Sequence, residues 1–258
     1  MNRFDLYELC VQNTPGMVRF LLAAHAGSPR TLREDFSGGA ALCKAWVGPG
    51  SNGSLRRAIA IDIDPGPLKR VAKVPGITSR AADVREADDK ADIIADLDFP
   101  LGYWHTRADL VAYLKLCRRR ISRGGIFVGD LYGGADAFSP LTMSRRFRGP
   151  KGERIGYTWE QEAADPVTGL VRNALHFEVS PPRGQPARTR TLRRAFPAPW
   201  RLGSIPEFAQ AALDAGFSKV DVYDQDAGAL DSDGNLHIRP ARGEDLDGNY
   251  VVYVVARR

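Results

Sequence analysis

Cysteine is scarce in this chain, and its three copies, Cys10, Cys43 and Cys117, form no Cys-x-x-Cys pair. Each sits among apolar neighbours and reads as a small buried hydrophobe, which points to a reducing, cytoplasmic setting rather than a disulfide framework. Long apolar runs are missing as well. None approaches the ~18 residues needed to cross a bilayer, so no membrane partner is expected, and Met1–Asp5 carries no signal-peptide pattern. Neither sign of charge dominates: 36 Lys and Arg against 31 Asp and Glu leave +5, which allows an acidic partner without requiring one. Internal repeats and low-complexity linkers are absent, and the cysteines and histidines lack metal-ligand spacing. What is left is a globular chain of 258 residues, long enough for one large domain or one domain with an insertion.

Against these absences stands the stretch Thr31-Leu-Arg-Glu-Asp-Phe-Ser-Gly-Gly-Ala-Ala-Leu-Cys-Lys-Ala-Trp46, followed by Ile59-Ala-Ile-Asp62. It reads as a short strand ending in an acid, a small-residue turn and a helix, then a second strand delivering a carboxylate at its end. Open α/β sheets hold an adenosine group in this order. Small residues let the backbone approach the ligand, and the second acid takes the ribose hydroxyls. The turn alone is a weak signal, and coupling to Asp62 and the later strands strengthens it.

Residues 4–26 form a leading helical segment punctuated by Pro15-Gly16. The first strand-turn-helix (31–47) leads into a Gly48–Ser54 loop and the strand to Asp62; Asp64 is a helix N-cap. Ile77–Asp83 and Ala91–Leu97 are extended. Thr106-Arg-Ala-Asp109 is a capping box opening a helix with Leu110, Leu114, Cys117 and Ile121 on one face, which Gly124-Gly125 stops before the strand Ile126–Asp130. Short, continuously apolar strands alternating with helices predict a parallel sheet covered on both faces. Then the pattern changes. Tyr157–Glu162 and Leu175–Val179 alternate around the turn Asp165–Gly169, a hairpin to which Leu192–Phe196 can add a strand. Ser204–Glu207 opens a helix that Gly216 ends, Val220–Tyr223 and Tyr250–Val255 are the last strands, and Asp231–Asp247 between them is a polar loop.

In this order of pieces the chain resembles the class I S-adenosylmethionine-dependent methyltransferases over nearly its whole length. The resemblance implies a Rossmann-like, seven-stranded, mostly parallel α/β sheet, its last strand antiparallel, with helices on both faces and an antiparallel hairpin insertion. It implies one domain, 1–258, comprising an N-terminal helical lid (1–30), a cofactor-binding core (31–140), the insertion (145–200) and a C-terminal helix with the last strands (201–258). In the family's glycine-rich turn, Glu34 matches the acid and Gly38 the middle glycine, while Phe36 and Ala40 replace the outer two. Asp62 matches the ribose acid, Asp83-Val84 the pair beside adenine, and Ala95–Leu101 the motif lining the transfer site. Trp200–Glu207 and Ala215-Gly-Phe217 fit its C-terminal pattern.

The resemblance therefore implies S-adenosylmethionine as cofactor, held by residues drawn from Tyr7, Arg33, Glu34, Ser37, Gly38, Asp62, Ile63, Asp83, Val84 and Asp98. Arg33 faces away from Glu34 on an extended chain, so a structural ion pair competes with a cofactor role. His105 and Asp98 are weak catalytic candidates; His25, His176 and His237 rank lower. Tyr103, Trp104, Tyr132, Tyr157, Trp159 and Arg201 are candidates for the acceptor wall. A small-molecule acceptor is expected. A nicotinamide-dependent dehydrogenase is disfavoured because the first turn lacks Gly-x-Gly-x-x-Gly spacing. An RNA acceptor, with Arg145, Arg146, Arg148, Lys151 and 183–194 as footprint, is disfavoured because few aromatics interleave those charges. A non-catalytic cofactor-binding domain and a homodimer burying Trp159 and Phe177 remain alternatives. Asp231–Asn235 lacks the later ligands of a calcium loop, and no metal is expected.

Overall fold

In the computed structural model, which describes residues 1–48, 56–185, 188–226 and 228–258, two helices precede the sheet. They are α1 (Arg3–Cys10) and α2 (Thr14–His25), separated where Asn13 caps the second. The single leading segment expected from residues 4–26 is thus two. The alternating core follows: β1 (Thr31–Glu34), α3 (Ala41–Val47), β2 (Arg57–Asp62), α4 (Pro65–Leu68, capped by Asp64), β3 (Ile77–Ala81), β4 (Ala91–Asp96), α5 (Arg107–Arg120) and β5 (Ile121–Gly134). Of the Gly48–Ser54 loop, all but Gly48 lies outside the described residues.

The chain then builds β6 (Leu141–Arg148), β7 (Arg154–Ala164), β8 (Leu170–Ser180) and β9 (Arg190–Arg201). It returns through α6 (Ile205–Asp214), β10 (Lys219–Asp224), the short pair β11 (Ala229–Leu230) and β12 (Leu236–His237), and β13 (Asn249–Arg257). The main sheet runs β10-β13-β5-β4-β1-β2-β3, with β13 antiparallel to both neighbours and the other pairings parallel. Each face buries an apolar layer. On one side α2 and α3 pack Phe20, Leu21, Leu42 and Trp46 on Leu32, Ile93 and Val128. On the other, α5 and α6 pack Leu114 and Phe208 on Ile94, Phe127 and Val254. This two-sided burial explains why the strands read as unbroken apolar runs.

Two expectations are corrected. The long helix ends at Arg120, not at Gly124-Gly125: Ile121 is already extended, and the two glycines form an irregularity in the β4–β5 pairing. A Cβ on Gly125 would lie 2.4 Å from the Asp92 carbonyl, so only glycine fits that crossing. The insertion is a four-stranded antiparallel sheet, β6-β7-β8-β9, spanning 141–201 rather than a hairpin over 145–200. Its edge strand β6 is almost wholly exposed, so it has no buried face to impose an apolar alternation. Trp159 and Phe177 pack within the chain: Phe177 is buried against Leu6 and Cys10 of α1, and Trp159 faces the cavity described next. All three cysteines are buried and free, and no helix among the described residues is long and apolar enough to span a membrane.

Candidate functional site

Chain order reverses direction between β1 and β4 in the sheet, the position at which open α/β sheets leave a crevice at their carboxyl ends. A cavity of about 490 Å³ opens there, within the size range of small-molecule sites. Its floor is the β1–α3 turn with the ends of β2 and β4, and its roof is α1 together with β8 and β9. The roof is clamped by aromatics: Phe196 meets Phe4 at 5.4 Å and Tyr7 at 5.0 Å between ring centroids.

The floor turn is tight. Phe36, Gly38 and Ala40 all have positive φ, at 56°, 48° and 54°. The left-handed backbone that glycine adopts freely is thus kept at two positions by L residues, at a strain of roughly 1–2 kcal/mol each. Glu34 is buried, and its Oε2 accepts from the Cys43 N–H at 3.0 Å across the turn. Burial raises its pKa to about 8, against the lowering effect of Cys43. Asp62 accepts from Gly38 N at 2.7 Å and from Asp64 N at 2.8 Å, one oxygen each. An ionised carboxylate has about four lone-pair sites, so each oxygen keeps one for a ligand. Ser37 Oγ is buried without a partner in the cavity wall.

Facing the roof is Asp98, whose Oδ2 accepts from Gln12 Nε2 at 2.7 Å. Burial raises its pKa, while Gln12 and the Tyr7 hydroxyl pull it down. Asp98 and Phe99 are both left-handed, with φ of 73° and 70°. Their N–H groups point at the buried Asp130 carboxyl, at 2.9 and 2.7 Å, which holds this strained pair in place. Burial and the neighbouring Asp98 raise Asp130 to about 8. Five acids line the cavity (Glu8, Glu34, Asp62, Asp64, Asp98) beside Arg3, and Glu8 is paired with Lys44 and Arg70 from outside it.

The structure thus brings together Tyr7, Glu34, Ser37, Gly38, Asp62, Ile63 and Asp98. It does not bring Arg33, Asp83, Val84 or His105 to the cavity. Arg33 is wholly buried beneath the sheet, paired with Asp35 at 2.6 Å. Asp83 binds Arg85, and the Val84 side chain belongs to the core. His105 donates Nε2–H to the Pro199 carbonyl at 3.0 Å. Of the expected acceptor wall, Tyr103 and Trp159 line the cavity; Trp104 stacks on Tyr113, Tyr157 packs beneath the insertion, and Arg201 pairs with Glu207. Gln12, Asp130, Asn173 and Phe196 went unrecognised from sequence. For Asn173 a signal existed: it falls in the inward register of Leu175 and Phe177, where a polar residue needs a reason.

No protein-family model and no curated protein matches the sequence. Solved structures do match. Streptomyces venezuelae DesVI is 14% identical, with 98% of this chain and 95% of that one covered and a TM-score of 0.68. The sugar N-methyltransferase KedS8 from Streptoalloteichus sp. is 15% identical over 99% and 92%, at 0.65. The amino pentose methyltransferase CalS10 from Micromonospora echinaspora, solved with S-adenosylmethionine bound, is 14% identical over 95% and 89%, at 0.61. The chain has the fold of the S-adenosylmethionine-dependent methyltransferases. The expected seven-stranded Rossmann-like architecture is therefore what this chain forms, with the four-stranded insertion roofing the crevice at the carboxyl ends of the strands.

Proposed function

We propose that the protein is an S-adenosylmethionine-dependent methyltransferase whose acceptor is a small molecule carrying an amine. The carrying observation is the pair of carboxylates, Glu34 and Asp62, at the ends of adjacent parallel strands. They flank a left-handed turn and open into the same cavity as Asp98. The residues present fit the cofactor: Asp62 has free lone pairs that would take vicinal ribose hydroxyls, Glu34 would accept from an ammonium group, and the orphaned Ser37 hydroxyl would supply one more polar contact.

When bound, S-adenosylmethionine supplies a methyl group already activated on a sulfonium. The chain's task is then to hold the acceptor in line with that methyl and exclude water, an orientation effect of about 7–11 kcal/mol. Asp98, fixed by Gln12, is placed to orient the acceptor amine and take its proton. His105 is committed to Pro199 and has no such role. The acidic lining suits a cationic amine and opposes carboxylate or phosphate acceptors. The names borne by KedS8, a sugar N-methyltransferase, and CalS10, an amino pentose methyltransferase, support this reading. No cluster of three or more metal-ligating side chains occurs among the described residues.

Calorimetric titration with S-adenosylhomocysteine tests the cofactor site. Asp62→Ala is expected to weaken binding about 10- to 150-fold, the equivalent of roughly 1.5–3 kcal/mol for a lost charge-assisted bond. Unchanged affinity in that variant removes Asp62 from the site. Tight binding of NAD by a protein indifferent to S-adenosylhomocysteine overturns the assignment.

A further inference from the structure

Resting on that reading, a second residue of the cavity can be given a role through a chain of hydrogen bonds whose polarity is fixed from one end. Gln161 is buried in β7, and its Nε2 donates to two backbone carbonyls, Ala137 O and Ser139 O, both at 2.8 Å. Carbonyls only accept, so the amide of Gln161 has one orientation and its Oε1 must accept. It accepts from the Tyr132 hydroxyl at 3.1 Å. The only proton of Tyr132 is thereby used, and the phenol oxygen can now only accept. Its donor is Asn173 Nδ2, at 3.0 Å. Two main-chain carbonyls therefore dictate, through Gln161 and Tyr132, which way the Asn173 amide faces.

Asn173 ends this chain in the cavity wall. It is 1% exposed, and its Oδ1 is buried with no hydrogen-bond partner. A buried carbonyl oxygen left unpaired is destabilising, by roughly 1–3 kcal/mol. Here the network forbids relief by an amide flip, because flipping would oppose the oxygen to a phenol that has no proton to give. The wall carries other orphans, and one of them adjoins Asn173. Asn173 pairs with Ala198, and Val171 with Trp200, so Asn173 and Trp200 are diagonal neighbours on one face of the β8–β9 ladder. Trp200 Nε1 is likewise buried without a partner in that wall.

We infer that Asn173 is a specificity-determining residue for the methyl acceptor: its polarity-locked Oδ1 takes a hydrogen bond from a hydroxyl group of the acceptor. With an acceptor oxygen and a donor indole on one face, the matching ligand group gives and receives a hydrogen bond, as a hydroxyl does and an alkyl chain or ether does not. The substrate class is accordingly a hydroxylated amine, the amine towards Asp98 and a hydroxyl towards the roof. A site built around a substrate hydroxyl discriminates strongly against analogues lacking it, because the buried partner is then left unpaired.

The test uses the full-length protein and matched probes: glucosamine, 3-amino-3-deoxyglucose and 3-amino-1,2-propanediol, each beside its analogue with a hydroxyl removed. Methyl transfer is followed by S-adenosylhomocysteine release. Wild type is expected to favour at least one hydroxylated probe over its deoxy partner tenfold or more in kcat/KM. Asn173→Ala should abolish that preference mainly through KM, with S-adenosylhomocysteine affinity unchanged. Tyr132→Phe, which lies outside the cavity lining, unlocks the amide and should reduce the preference severalfold, an effect that wall packing alone would not produce. Thermal unfolding confirms that both variants are folded. Hydroxylated probes no better than their deoxy partners, whether all react poorly or all react alike, overturn the inference, as does a preference that survives both variants. Failure of wild type to bind S-adenosylhomocysteine is a different result. It overturns the cofactor reading itself.

Discussion

Arg33 is the largest charged side chain that is fully buried among the described residues. Its guanidinium bonds both oxygens of Asp35 and the carbonyls of Val84, Ala87 and Asp89, and Tyr113 donates to the same carboxylate at 2.9 Å. It ties the β1 end to the segment after β3, beneath the cavity floor and outside the cavity. Arg33→Leu leaves the buried Asp35 without its counter-ion, so we expect a loss of about 3–5 kcal/mol in denaturant unfolding. S-adenosylhomocysteine affinity of the folded protein should stay within about twofold. A stable variant that fails to bind would return Arg33 to the ligand. The sequence gives the alternation that separates Arg33 from Glu34, hence both roles were legible as alternatives. Asp83 was not separable in the same way. Its expected contact rested on resemblance, and no local pattern reveals that the neighbouring Arg85 will take its carboxylate.

At the scale of elements, α1 has little to hold it but its contacts with the insertion and a few ion pairs. Leu6 and Cys10 insert among Ile155, Leu175 and Phe177, and Phe196 grips Phe4 and Tyr7 from the cavity side. Arg70 reaches Asp5 at 2.6 Å and Lys44 reaches Glu8 at 2.9 Å, anchoring the other flank. Phe196→Ala removes both aromatic pairs, and we expect a local loss of about 1–3 kcal/mol. In hydrogen exchange, amides of α1 should lose protection while those of β4 and β5 keep theirs, because the sheet interior opens only on global unfolding. Equal loss everywhere would mean that α1 and the core unfold together. The roof was half legible. β7 and β8 announce themselves by alternation around a good turn, and β9 by a weaker one. Exposed β6, and the length of the sheet, follow from pairing with distant strands and leave no local trace.

For the whole molecule, the order of strands was readable because two-sided burial writes itself as short apolar runs separated by capped helices. The acidity of the interior was not, since it depends on which strand ends converge. The convergence has a consequence for stability. Burial raises Glu34 and Asp130 to about 8 and holds Asp96 well above the carboxylate range, with neither Asp96 oxygen partnered. In the unfolded chain these groups titrate near 4. An acid whose pKa is raised by folding favours the native state fully below the unfolded value and loses that contribution as pH rises through the folded one. Acids nearer the surface with lowered values, such as Asp83, Asp214 and Glu162, act in the opposite direction only as pH falls below about 4, and screening keeps their effect small. The ligand-free protein should therefore have its highest Tm in mild acid and lose stability steadily from about pH 5 to pH 9. Glu34→Gln, which keeps the shape without the charge, should flatten that decline. Addition of S-adenosylhomocysteine should flatten it too, because an ammonium group beside Glu34 favours the ionised carboxylate. Binding near pH 7 should then release a proton, detectable as a dependence of the calorimetric enthalpy on the ionisation enthalpy of the buffer. A Tm that is level or rising over this window, together with buffer-independent heats, would show that Glu34 is already ionised in the empty cavity.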